Sequence, residues 1–187
     1  MRRFLNKLWN ASRFVSVRFV EDGKPMPSIS YEMLERDIAD HIGKLNAYDM
    51  WILGKLQAAV DQVGKYYSKF MLGEALQETI DMVWHDFCDR YIEITKLQQS
   101  TYTPKVMLYT LLTACKLLHP VVPHVTEKLR SLLGGEGILM MSAWPQPQFD
   151  VEKNYKMNLL MDMISQWRNL RQQATDKPHE QVVLLVQ

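Results

Sequence analysis

The chain has 187 residues, 47% hydrophobic and 23% charged, with 22 Lys and Arg against 21 Asp and Glu. That suffices for one sizeable core, while a net charge of +1 excludes an overall basic field, so any nucleic-acid footprint has to be local. Two cysteines exclude a disulfide scaffold, polar residues from Asn6 to Arg13 interrupt any signal-peptide core, and no apolar run nears the roughly 20 residues a membrane helix needs, so a cytoplasmic chain is expected.

Taken in order, the pattern predicts helix after helix. Residues 2 to 20 form the first, followed by a loop at EDGKPMPS with its glycine and two prolines. Residues 31 to 42 form a short helix. The next runs from Asn46, a candidate N-cap with Asp49 in its first turn, to about Tyr67 through Trp51, Leu53, Leu56, Val60 and Val63. The clearest period is Leu76, Ile80, Val83, Trp84, Phe87, Tyr91 and Ile94. Thr103 reads as an N-cap with Pro104 at the first helical position, and that helix ends at His119 because Pro120 disfavours its continuation. A shorter helix starts at Pro123 and stops at GGEG after Leu133. Residues 152 to 174 form a last long helix, and ILMM (138–141) and VVLLV, within 181–186, read as short strands. The expected fold is an all-α bundle of about five to seven helices with a small β appendage. Both ends look cut, so a domain excised from a longer chain is expected.

The first helix carries the sharpest anomaly. Phe4, Leu8, Ala11 and Val15 fall on one stripe, with Leu5 and Ser12 beside it, while Arg3, Lys7 and Asn10 fall opposite. Phe14 falls with the polar set. Either another segment, such as the 21–46 loop, covers its ring, or an unpaired base stacks on it. The neighbours suit the second option: Lys7 and Arg13 can neutralise phosphates, and Asn10 offers a donor and an acceptor to a base edge. Asn6 flanks this face, and Arg3 is a further candidate for a phosphate. Residues 1–24 are basic, whereas residues 74–93 carry six carboxylates against Arg90.

Other constellations point to structure. His85 with Cys88 and Cys115 with His119 have the i,i+3 and i,i+4 spacing of two half-sites for zinc, but both cysteines lie on or beside apolar stripes and no metal is expected. His85 points to solvent with Asp81 and Asp89, and His119 suits a helix end. Asp86 and Asp89 read as a solvated helix face rather than an acid–base pair. Trp51, Trp84, Trp144 and Trp167 read as core.

Five blocks in order, NKLWNASRF, ALQETIDMVWHDFCDRYIEITK, LLHPVVPHVTEKL, ILMMSAWP and WRNLRQQ, together resemble the anticodon-binding helical domain of valyl-tRNA synthetases, a class I family. The resemblance covers nearly the whole chain. It implies that residues 1–150 are the anticodon-binding bundle and that 151–187 add a long helix and a strand packed on it. It implies a tRNA partner with a valine-type anticodon, and a catalytic domain of the same parent as a second partner. On this resemblance the anticodon contacts lie on the first helix, at Asn6, Lys7, Asn10, Arg13 and Phe14. The family's ATP-dependent chemistry needs HIGH and KMSKS signatures. HIGK at His41–Lys44 matches three letters of the first inside a helical stretch, and KMSKS has no counterpart, so no catalytic residue and no cofactor are expected in this chain. A monomer is expected. The rival readings are the corresponding domain of an isoleucine-type synthetase and a helical protein-interaction domain with no RNA contact.

Overall fold

The structure is a computed structural model that describes residues 1–20, 26–97, 100–146, 149–151 and 155–174, some side chains of the last helix aside. It divides into two compact units, Met1–Lys153 and Asn154–Gln187. The first unit holds α1 (Arg2–Phe19), α2 (Tyr31–Asp40), α3 (Ala47–Ser68), α4 (Leu72–Asp81), α5 (Ile92–Thr95), α6 (Thr103–Leu118) and α7 (Pro123–Leu132). A π-helical segment, Met82–Tyr91, joins α4 to α5 in one continuous rod. In the second unit α8 spans Tyr155–Ala174. Counting the joined rod once, the described residues form seven helices, as the all-α reading expects.

The core is built around α6. Its residues from Val106 to Cys115 are buried on every side, as a helix apolar all round has to be. α1, α2, α3 and α7 pack around it, and α3 folds back along α4. The stripe expected on α1 is the one that faces inward: Phe4, Leu8, Ala11 and Val15 are buried. Ser12 is buried among them, its Oγ donating 2.8 Å to the Leu8 carbonyl. Phe4 meets Trp84, Lys7 meets Asp89 and Phe14 meets Lys96, so α1 runs alongside the π segment and α5 in the same direction.

Several local expectations change once elements meet. Asn46 stands at the N-cap of α3, but its amide donates to Tyr48 Oη at 2.7 Å rather than receiving a helix N–H with its side chain. Asp49 is fully buried, where it accepts hydrogen bonds from Tyr91 Oη at 2.6 Å and Thr103 Oγ1 at 2.9 Å. Thr103 is therefore no N-cap: α6 already includes it, Tyr102 takes that place, and its hydroxyl serves Asp49. In the 72–95 rod the buried positions are Ala75, Thr79, Met82, Val83, Phe87, Cys88, Tyr91, Ile92 and Thr95. The step of five from Met82 and Val83 to Phe87 and Cys88 is the π turn, whose i→i+5 pattern takes one residue more than an α turn. Leu76, Ile80, Trp84 and Ile94, expected in the stripe, lie half-buried at its edge.

The strand expected at 138–141 is not formed. Leu139–Met141 is a 3₁₀ turn held by Leu139 N–H donating 2.7 Å to Glu127 Oε1. Leu139 is a single buried anchor, while Met140 and Met141 are 75% and 83% exposed. A run of four apolar residues cannot by itself distinguish strand from turn. Among the described residues the one β-type pairing is an isolated parallel bridge, Ile29 with Gly135. It needs Gly134, which has φ +72°, and a Cβ there would lie 2.0 Å from the Pro27 carbonyl oxygen. The second expected strand, 181–186, lies outside the described residues.

Trp51 is core, whereas Trp144 stays 38% exposed with its ring edge-on to Tyr67 at 5.4 Å. Trp167 has no described side chain. His119 ends α6 as expected, but its ring ties that end to α7: Thr126 donates its hydroxyl to the carbonyls of Val122 and Pro123, so His119 Nδ1–H donates to Thr126 Oγ1 at 2.9 Å.

Candidate nucleic-acid interface

Eighteen residues of α1 present one inner and one outer side. Arg3, Asn6, Asn10 and Arg13 are all exposed on the outer side, a polar and basic strip roughly 15 Å long at the helical rise. The two remaining candidates lie on the strip's flank toward the π segment and α5. There the structure adds contacts that helix periodicity does not contain.

Lys7 is bonded through Nζ to Asp89 Oδ1 and sits 4.5 Å above the Trp84 ring. The same ring stacks on Phe4, with centroids 6.3 Å apart and planes 18° from parallel. Lys7 is thus a strut between α1 and the π segment, held by charge and by the ring quadrupole.

Phe14 is half-buried. Arg18, one turn further on, lies 5.2 Å from its ring centroid, and Lys96, just past α5, lies 5.9 Å from it. The ring is flanked by two cations, one from its own helix and one from 82 positions away. The sequence by itself singles out neither Arg18 nor Lys96. Arg18 could have been found there, since i,i+4 neighbours meet on a helix. Nothing in the sequence places Lys96.

The acidic face of the 72–95 rod is largely paired. Asp86 accepts from Arg90 at 2.9 Å and faces Lys55 at 3.7 Å, with its side chain only 16% exposed, so it is not the solvated group expected. Asp89 also faces His85, at 3.5 Å, and His85 lies 3.9 Å from Asp81. His85 points outward with these two carboxylates, as expected from spacing. Cys88 and Cys115 are buried free thiols, and burial pushes both up to about 12. They are protonated packing groups. His41–Lys44, the HIGK stretch, is a turn and 3₁₀ element between α2 and α3. There His41 stacks on Tyr102 at 5.0 Å and hydrogen-bonds the Asp37 carbonyl. It is not a nucleotide-binding loop opening a helix.

The strip as a whole is an open surface with amides, guanidinium groups and one ring. That combination can bind a flexible polyanion bearing planar groups. No helix among the described residues is long and apolar enough to cross a membrane.

Comparison with known proteins identifies the family. Residues 49–185 match the model of the anticodon-binding domain of tRNA ligase. The matched range runs from the first turn of α3 through α8 and excludes α1 and α2. The chain is 35% identical over 187 residues to the valine–tRNA ligase of Carboxydothermus hydrogenoformans, covering 95% of this chain and 20% of that protein. It is 33% identical over 194 residues to the valine–tRNA ligase of Bacillus cereus, covering 98% of this chain and 21% of that protein. Against the valine–tRNA ligase of Lactiplantibacillus plantarum it is 35% identical over 195 residues, covering 98% and 20%. The chain therefore spans about a fifth of the length of these relatives. It belongs to the anticodon-binding domain family of tRNA ligases, in the form that valine–tRNA ligases carry.

Proposed function

We propose that this domain binds the anticodon arm of a valine-accepting tRNA through the outer face of α1, and that it performs no chemistry itself. Arg13 and Arg3 meet phosphates, Asn6 and Asn10 read base edges, and an unpaired base stacks on Phe14. Lys7 meets the RNA only by leaving Asp89. Activation of valine with ATP belongs to the catalytic part of a ligase of the relatives' kind, so the domain needs no cofactor and works as a monomer in the cytoplasm beside that part.

The observation that carries this reading is the exposed amide and guanidinium strip beside a half-open aromatic ring, in a family described by anticodon binding. Because valine codons require anticodons ending in A-C, fluorescence anisotropy with stem-loops differing only in the anticodon tests it. The expected result is tightest binding to A-C anticodons, with affinity falling steeply as salt rises. Equal binding to every anticodon, or binding indifferent to salt, refutes it and favours a protein-docking surface.

A further inference from the structure

The proposed contacts all come from α1, yet the ring at their centre is flanked from outside that helix. Arg18 and Lys96 both lie within 6 Å of the Phe14 centroid. Resting over a ring is a weak arrangement for an exposed cation. Lys96 is additionally paired with Glu93, its neighbour on α5, at 2.6 Å. That pair is a surface one, with side chains 44% and 37% exposed, and exposed pairs give way readily to a better anion. A base that stacks on Phe14 takes the ring face from whichever cation occupies it. Its own phosphates follow, because they are tied to it by the sugar.

We propose that Arg18 and Lys96 are phosphate ligands of the RNA loop, so that the interface crosses from α1 onto the end of α5. The inference rests on the anticodon reading above and adds two residues and a second element to it. In the unliganded domain the Phe14 ring holds both cations near where the loop arrives. On binding, the base replaces them at the ring and the phosphates receive them. Lys96 exchanges Glu93 for a phosphate, and Glu93 is left as a nearby like charge that opposes the RNA. Because both ligands touch backbone only, they position the loop and carry no sequence preference.

The test uses Arg18→Gln, Lys96→Gln, the double variant and Glu93→Gln. Lys69→Gln, in the turn between α3 and α4 at the other end of the bundle, serves as the control for loss of any surface charge. Anisotropy is recorded across a salt series with an A-C stem-loop and with one of mismatched anticodon, after circular dichroism has shown each variant folded. Each of the first two substitutions should reduce the slope of log K against log salt by about 0.7, and the double variant by about twice that. Both stem-loops should weaken by the same factor, leaving their ratio unchanged. Glu93→Gln should strengthen both. A wild-type domain that binds normally, with Arg18→Gln and Lys96→Gln no different from Lys69→Gln, overturns this inference alone. Weakening of the A-C stem-loop only would also overturn it, since that makes the residues base readers. A wild-type domain that binds no stem-loop overturns the anticodon reading and this inference together.

Discussion

Replacing Asp49 by alanine is expected to cost about 2–5 kcal/mol of stability. Asp49 is fully buried, and its carboxylate receives Tyr91 Oη at 2.6 Å and Thr103 Oγ1 at 2.9 Å. Tyr91 is also fully buried and Thr103 is 3% exposed, so water cannot replace the lost acceptor. Each orphaned buried donor costs about 1–3 kcal/mol, and relief from burying a carboxyl group offsets part of the sum. Asp49 also ties three elements, α3, the π segment and α6, so the loss should appear as cooperative unfolding at lower urea. The acid–base behaviour supplies an independent check. Burial raises the Asp49 carboxyl above its usual range, while the bonds from Tyr91, Thr103 and the Asn46 backbone pull it partly back. A raised folded-state value means that the folded domain holds this proton more tightly than the unfolded chain. Stability from this group is therefore fully present below the ordinary value, and is lost as pH rises through the folded one. Urea midpoints of the wild type and Asp49→Asn, measured across pH, should show the wild type losing ground to the variant over that window. A wild-type advantage that grows with pH there, or an Asp49→Ala cost within about 0.5 kcal/mol, would refute the reasoning.

Five further outcomes are expected. Leu8→Ala, mid-stripe and fully buried, should lose about 2–5 kcal/mol in urea or thermal unfolding through lost burial and a cavity. Phe14→Ala should weaken binding of an A-C stem-loop by about tenfold to over a hundredfold in anisotropy, while Phe14→Tyr keeps most of it. The same Phe14→Ala change should lower stability by about 1–2 kcal/mol, since a half-buried ring and its two cation contacts are removed. Gly134→Ala should destabilise by about 2 kcal/mol or more in thermal unfolding, because its left-handed φ is strained for alanine and the new methyl meets the Pro27 carbonyl. A thiol reagent at pH 8 should label neither Cys88 nor Cys115 in the folded domain and both after denaturation, as burial holds both thiols protonated up to about 12.

What could be read from the sequence was whatever a single helix settles with its own neighbours. The Phe4–Leu8–Ala11–Val15 stripe, the proline start of α7 and its glycine stop each depend on residues within a turn or two, and each was legible. The outer strip of Arg3, Asn6, Asn10 and Arg13 followed from the same period, as its complement. The π turn was not legible, because the α period it interrupts looks intact in the letters and only packing against α1 and α3 selects the alternative. The 139–141 turn is not legible for a related reason: a strand exists only with a partner ladder, and Glu127 supplies one hydrogen bond instead. Asp49 looked like a helix-start carboxylate until Tyr91 and Thr103 arrived from 42 and 54 positions away. The ring of Phe14 shows the division most plainly. Helical geometry put it beside cations on the polar side, and it lies half-buried at the flank of that side. That Lys96 stands over it, and that Lys7 is tied to Asp89, depends on α1 lying parallel to the end of a rod some 80 residues away. Charges that far apart in the chain acquire a distance only when the core closes, and an ion pair or a cation over a ring acts only at contact range.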